Sequence, residues 1–399
     1  MTSSRLSSAA PASTLHLWTT GLFDFKGGIQ TFSLFVWEAL QALLPETRQR
    51  VFCLHDRAIP SHLHLTPQQQ IHCTGRIPAK VRIPAFGAEL LAWGLVERPQ
   101  LILATHLNLT SLAYRLKQIA GIPYWTVAHG FEAWDVQKPS VRQALAHADR
   151  ILAVSSYTRD RLITEQGLDP DRIHLLPNTF AAERFQVAPK PAHLLERYGL
   201  QADQPVILTV NRLAAGEDFR PYDQMLQALP HIREAVPGVR YLIVGKGDDR
   251  PRLEADIARR NLQDAVILAG FVPDAELGDH YNLCDLYAMP SKLEGFGIVF
   301  LEALASGRPV LASHLDGGRD AVGHGEFGAL TNAEDVGEIA RTAIAILQQS
   351  YPHPLMYQPQ ALREAVITRF GVSAFQHTLA QHLASSPLSE IVALRSTEG

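Results

Sequence analysis

Cysteine is scarce in this chain: three residues in 399, at Cys53, Cys73 and Cys284, odd in number and widely spaced. They offer no disulfide framework, which argues against a small stapled fold and favours a reducing, cytoplasmic setting. Long apolar runs are also missing. No stretch of 18 or more apolar residues occurs, so no transmembrane helix is expected. Positive charge is in short supply: the net charge is −4 and the pI near 6.5, which argues against nucleic acid as the main partner. Residues 1–14 are rich in Ser and Ala, lack the apolar core of a signal peptide, and read as a disordered tail. What is present is ordinary for a globular protein, 46% hydrophobic and 19% charged, with length for two α/β domains.

The most informative stretch runs from Cys284 to Ser313 and reads as strand, turn, helix, strand. The apolar run Leu286–Met289 is stopped by Pro290 and Ser291. A loop with two glycines follows, then a helix from about Gly297 to Ser306, closed by Gly307 and Pro309. In an open α/β sheet, ligands gather at the carboxyl ends of the strands, where this helix begins. N–H groups at Gly297, Ile298 and Val299 suit an anion such as a diphosphate. Glu294 and Glu302, with seven residues between them, bracket that position. Carboxylates accept from hydroxyls, so the pair suits polyols on either side of a diphosphate, a sugar and a ribose.

With its Pro-Ser, Gly-Phe-Gly and Ala-x-Gly-x-Pro frame, this stretch resembles the E-x₇-E signature of retaining glycosyltransferases of the GT-B fold, specifically family 4. The resemblance implies two Rossmann-like, doubly wound α/β domains facing across a cleft. We expect an acceptor-side domain at 15–190, a nucleotide-sugar domain at 191–371, and helices crossing back over 372–399. It extends from Gly27 to Ala384. After the first strand, Gly27-Gly28-Ile29-Gln30 resembles the family's Gly-Gly element, which closes over donor phosphate and acceptor. His129 begins a His-Gly-x-Glu-x-Trp segment whose histidine lies against donor sugar and acceptor in the family. Arg212 matches the family's Gly-Arg-Leu arginine. Arg220 takes its lysine position, keeping the charge but replacing a compact ammonium with a planar fork. Gly245-Lys246-Gly247 lacks the third glycine of a dinucleotide fingerprint and resembles the family's Gly-x-Gly; Lys246 is a further candidate for the phosphates. Phe271 and Val272 follow a strand where related enzymes hold the nucleobase.

Apolar segments before these sites alternate with helical ones, which predicts parallel sheets. His62, His64, His72 and Cys73 share no ligand spacing, and Asp169-Pro170-Asp171 reads as a turn, so no metal is expected. Arg76–Arg98 combines Arg76, Lys80 and Arg82 with Trp93 and aliphatic residues. A helix covering the sheet is the favoured reading, with peripheral contact to anionic membrane, at the inner face of the plasma membrane, as the alternative. The expected reaction is metal-independent transfer of a hexose from a UDP- or GDP-sugar to a glycan, lipid-linked or small-molecule hydroxyl, with the anomeric configuration retained. His129, Arg212, Arg220 and Glu294 are the expected catalytic residues. A sugar-nucleotide epimerase and a non-catalytic sugar-nucleotide-binding module are the competing readings.

Overall fold

A computed structural model describes residues 13–24, 27–216 and 219–389. The chain divides into two compact units. Unit 1 takes the described residues up to Val154, then Thr158–Leu176 and those from Phe375 onward; unit 2 takes Ser155–Tyr157 and Pro177–Ala374.

Unit 1 holds seven parallel strands: β1 (Thr14–Thr19), β2 (Arg48–Cys53), β3 (Gln69–Cys73), β4 (Leu101–Ala104), β5 (Tyr124–Ala128), β6 (Arg150–Ala153) and β7 (Ile173–Leu175). Their order across the sheet is β3-β2-β1-β4-β5-β6-β7. β4 (LILA) and, past its arginine, β6 (RILA) are short apolar runs, whereas β1 (TLHLWT), β2 (RQRVFC) and β3 (QQIHC) carry polar residues; a parallel sheet is covered by helices on both faces all the same. β1 and β4, for instance, are buried along their whole length. The main helices are α1 (Gly28–Leu43), α2 (Ala79–Glu97) and α3 (Leu107–Ala120). α1 buries Phe32, Val36, Trp37 and Leu40, an i, i+4 stripe that turns one face to the core. Each such side chain contributes roughly 1.5–3 kcal/mol by leaving water.

Unit 2 repeats the scheme with β8 (Val206–Val210), β9 (Arg240–Val244), β10 (Val266–Gly270), β11 (Leu286–Ala288), β12 (Val310–Ser313) and β13 (Ala329–Thr331), in the order β10-β9-β8-β11-β12-β13. β13 was not foreseen. In each sheet the order reverses beside its first strand, between β1 and β4 and between β8 and β11. The loops after those strands flank the point where doubly wound sheets bind ligands.

Three boundaries differ from expectation. Residues 1–12 of the expected tail lie outside the described residues, while Thr14 already belongs to β1. Residues 177–190, expected in the first domain, belong to unit 2. Phe180 and Phe185 are buried there, Arg363 donates to the carbonyls of Ala182 and Phe185, and Asn282 binds Gln186 O and Ala188 N. The final helices expected from 372 are preceded by another: Pro359–Phe370 and Val372–Ala384 are separated at Gly371. The second joins unit 1 from Phe375, whose ring packs edge-on to Phe32 at 5.7 Å.

Candidate active site

In unit 2 the loops at the carboxyl ends of the strands are tied to one another. After β8, Asn211 N donates to Val244 O and Leu213 N to Lys246 O, while Asp249 N returns to Leu213 O. After β9, Gly245 N donates to Gly270 O at the end of β10. This approach requires glycine: a Cβ on Gly245 would stand 1.8 Å from Asn211 O, and one on Gly247 1.8 Å from Leu213 O. Arg212, Leu213, Gly216 and Lys246 line an open depression of about 630 Å³ on this surface. Arg212 is exposed there. The Lys246 ammonium lies 4.6 Å from the ring centre of Phe271, itself 63% exposed, whereas Val272 is buried.

Arg220 is held by groups of the protein itself. Its guanidinium donates to the carbonyls of Ala214 and Ala215 and lies 3.3 Å from the buried carboxylate of Asp249. Asp249 also accepts from Arg252 and from Tyr222 Oη at 2.7 Å, and the Arg252 contact above all holds it below the usual carboxylate range. Arg220 thus braces the loop that carries Arg212. Its planar fork reaches two carbonyls and a carboxylate together, which an ammonium could not reproduce.

The Glu294 loop is fixed from beneath. Asp316, almost fully buried, accepts from Glu294 N at 2.9 Å and Gly318 N at 2.9 Å, and Gly317 N donates to Glu294 O. Gly297 turns the chain into the Ile298–Ala305 helix at φ +90°. A Cβ there would meet the Phe300 ring at 2.4 Å. The helix begins with no side-chain cap at Ile298 and Val299. Glu302 lies on its second turn, where Tyr281 Oη donates to it at 2.7 Å. Desolvation raises the Glu302 carboxyl from 4.5 to about 7, against the Tyr281 hydrogen bond.

Unit 1 carries the remaining candidates. Gly27 caps α1 in extended conformation and accepts from Thr31 N; Phe25 and Lys26, in the same loop, lie outside the described residues. A Cβ on Gly28 would meet nothing within 4 Å. His129, just past β5, places Nε2 2.8 Å from Thr105 O, and its ring stands edge-on to Phe32 at 5.0 Å. Donating to that carbonyl puts the proton on Nε2, and desolvation lowers its pKa to about 4. The backbone N–H of His129 donates to the Glu132 carboxylate at 2.7 Å.

The structure therefore brings Arg212 and Lys246 to one depression and sets Glu294, Gly297, Ile298, Val299 and Glu302 on one strand–loop–helix connection. Gly27, Gly28 and His129 belong to the other unit. The roles of Tyr281, Asp249 and Asp316 were not read from the sequence, since each acts on a partner distant along the chain: Glu302, Tyr222 and Glu294 respectively. Among the described residues, no group of three or more His, Cys, Asp or Glu is placed to hold a metal ion. His72 instead contacts Arg50 and Glu89, and Asp169 accepts from Asp171 N in a turn. Trp93 is half-buried, with the Arg50 guanidinium over its ring at 4.0 Å.

Two parallel sheets of this order, one in each unit, place the molecule in the GT-B class. Sucrose-phosphate synthase from Thermosynechococcus elongatus superposes with a TM-score of 0.73 at 20% identity, over 92% of this chain and 98% of that one. The Anabaena protein HepE, solved with UDP, gives 0.73 at 20% identity, over 94% and 100%. The family described as "Glycosyl transferases group 1" matches residues 193–364, and "Glycosyltransferase Family 4" matches 29–184. A 2-deoxystreptamine glucosyltransferase from Streptomyces kanamyceticus is 30% identical over 270 residues, 64% of this chain and 68% of that protein. A GDP-mannose-dependent phosphatidylinositol monomannoside mannosyltransferase from Mycolicibacterium smegmatis is 34% identical over 233 residues, 55% of this chain and 59% of that protein. The chain belongs to the group 1 glycosyltransferases.

Proposed function

We propose that the protein transfers a hexose from a nucleoside diphosphate sugar to an acceptor hydroxyl, without a metal and with retention at the anomeric carbon. The observation that carries this is the ordered strand-end surface of unit 2, with two cations at one depression and two carboxylates bracketing an uncapped helix start. As the glycosidic bond breaks, the diphosphate gains charge and the sugar becomes oxocarbenium-like. Arg212, Lys246 and the N–H groups of Ile298 and Val299 stabilise the leaving diphosphate. Glu302 accepts from the ribose and Glu294 from the sugar. Phe271, beside Lys246, offers the base a face to stack on. Gly28, with open space about it, admits a phosphate close to the backbone, and His129, neutral near pH 7, orients hydroxyls. Arg220 acts by positioning the Arg212 loop.

The names of two similar proteins support the donor class: one is GDP-mannose-dependent, and another was solved with UDP. A thermal-shift screen across UDP-, GDP- and ADP-hexoses identifies the base, since a ligand of the folded state raises the melting point. NMR of the preferred donor should then show slow release of hexose with its anomeric configuration kept. Epimerised donor would favour an epimerase, and donor bound but never consumed a binding module. Arg212→Ala should lower turnover about 100-fold or more at saturating donor; an unchanged rate removes Arg212 from the mechanism.

A further inference from the structure

Two of the three cysteines stand side by side in unit 1. In the parallel pairing of β2 with β3, Cys53 is the register partner of Cys73, at the carboxyl end of both strands. Adjacent strands lie about 4.8 Å apart, and register partners turn their side chains to the same face. A disulfide spans Cα atoms roughly 4.4–6.8 Å apart, so this pair is within reach of one. The register is pinned on either side. One residue earlier, on the opposite face, the Phe52 and His72 rings stack at 4.9 Å. One residue later, Thr74 N and Oγ1 both donate to Cys53 O, and Oγ1 also donates to Leu54 O at 2.9 Å.

The two thiols are unequal, as an attacking thiol and its resolving partner are. β3 is an edge strand of its sheet, and Cys73 is half-buried, within reach of a small oxidant. The Cys53 thiol beside it, above all, lowers its pKa, which enlarges the share of thiolate. Cys53 is fully buried. Burial first, then the Cys73 thiol and the Asp56 carboxylate, push it well up, so it keeps its proton. Cys284, in unit 2, is pushed up to about 12 by burial and is inert by the same reasoning.

Asp56 ties the pair to the loop after β1. Its carboxylate, fully buried, accepts from the N–H groups of Leu22, Phe23 and Asp24 at 2.7, 3.1 and 3.0 Å. Gly75 N donates to Asp56 O, which joins the loop after β3 to the same frame. The Cys53 thiol hydrogen-bonds towards this carboxylate. Further along, the loop after β1 leads to Gly27 and Gly28.

We propose that Cys53 and Cys73 form a redox switch: a hydroperoxide converts them to a disulfide, and the disulfide loosens the hold of Asp56 on the loop after β1. The Cys73 thiolate attacks a peroxide oxygen; an S–O bond forms, the O–O bond breaks, and water or an alcohol leaves with a proton from solvent. The Cys53 sulfur then attacks the sulfenic sulfur; an S–S bond forms, the S–O bond breaks, and water leaves with the Cys53 proton. Each sulfur is oxidised by one electron and the hydroperoxide reduced by two. A dithiol reverses the change by exchange. Bonded to Cys73, Cys53 has no S–H left for Asp56, and a buried carboxylate that loses a donor holds its other partners less firmly. The consequence for catalysis rests on the glycosyl-transfer reading; the disulfide does not.

The test treats the full chain with hydrogen peroxide, blocks free thiols with iodoacetamide and digests without reductant. A peptide linking Cys53 to Cys73, lost after dithiothreitol, is expected in the wild-type chain, so a variant that fails to fold leaves this test intact. Both thiols alkylated after peroxide overturns the switch. Cys53→Ser should stop at the sulfenic acid, which dimedone labels on Cys73; dimedone on Cys53 in Cys73→Ser would overturn the assignment of roles. Hydrogen exchange at Leu22, Phe23 and Asp24 should quicken about tenfold on oxidation and recover with dithiothreitol. A disulfide that leaves this exchange unchanged overturns the link to Asp56. Transfer from the preferred sugar nucleotide should slow on oxidation in wild type and stay constant in Cys73→Ser. A chain that forms the disulfide and frees the loop yet consumes no sugar nucleotide in either state would defeat the glycosyl-transfer reading and leave the switch standing.

Discussion

Replacing Glu302 with glutamine should make the protein more stable and worse at its task, with the balance set by pH. Burial raises this carboxyl from 4.5 to about 7. A group held at a raised pKa binds its proton more tightly folded than unfolded, so stability falls as pH climbs from about 4.5 through 7. At about 1.4 kcal/mol for each tenfold change in proton affinity, the full displacement amounts to about 3 kcal/mol. Glu302→Gln keeps the shape and an oxygen for Tyr281 Oη but has no proton to lose. Its melting point should match wild type near pH 4.5 and exceed it at pH 8 by roughly 6–12 °C, taking 2–4 °C per kcal/mol for a unit of this size. Nucleotide affinity at pH 8 should meanwhile fall about tenfold, because a charged acceptor is lost. Calorimetric melting over pH 4.5–8, with nucleotide titrations at the upper end, reads both effects. If the two proteins melt together at pH 8, the buried-carboxylate argument is wrong. If the variant binds nucleotide as tightly as wild type, Glu302 does not touch the ribose.

Arg220→Lys should lower stability by about 1–3 kcal/mol in urea unfolding, since the fork to Ala214, Ala215 and Asp249 is lost; an unchanged midpoint would show the brace to be idle. Gly297→Ala should cost roughly 1–3 kcal/mol, from its positive φ and the Phe300 contact, and should weaken nucleotide binding by shifting the helix start. A variant with wild-type melting and affinity would refute that account. His16 and His129 are both lowered to about 4 by desolvation, so their contribution runs opposite to that of Glu302: stability should decline as pH falls from 6.5 towards 4. His129→Gln should flatten part of that slope in pH-dependent melting, and a slope left intact would show the ring to be solvated.

Much of the architecture was legible because several parallel strands buried on both faces are written as apolar runs such as Leu286–Ala288 and Leu101–Ala104. β13 was not: Ala-Leu-Thr holds one strongly apolar residue, whereas the equally short β11 is followed by Met289 and stopped by Pro290. The domain boundary was misplaced because Pro189, Pro191 and the polar stretch after them look like a linker, while the anchoring of 177–190 depends on Asn282 and Arg363, far along the chain. The same division holds at the site. Residues on one connection, Glu294 through Glu302, could be read from spacing. Arg220 could not be placed, because its partner Asp249 lies beyond another strand and nothing near either residue announces the pair. Tyr281 and Asp56 belong with it, as side chains whose meaning comes wholly from remote neighbours.

The contact of the Asn211 and Leu213 carbonyls with Gly245 and Gly247 bears on how such a chain can diverge. Positions 245 and 247 are closed to every side chain, so the stem that presents Arg212 and Lys246 has almost no mutational freedom. Past Leu213 that constraint ends. Ala214 and Ala215 lend Arg220 only their backbone carbonyls, so a diverging lineage can exchange those two side chains while both glycines stay fixed.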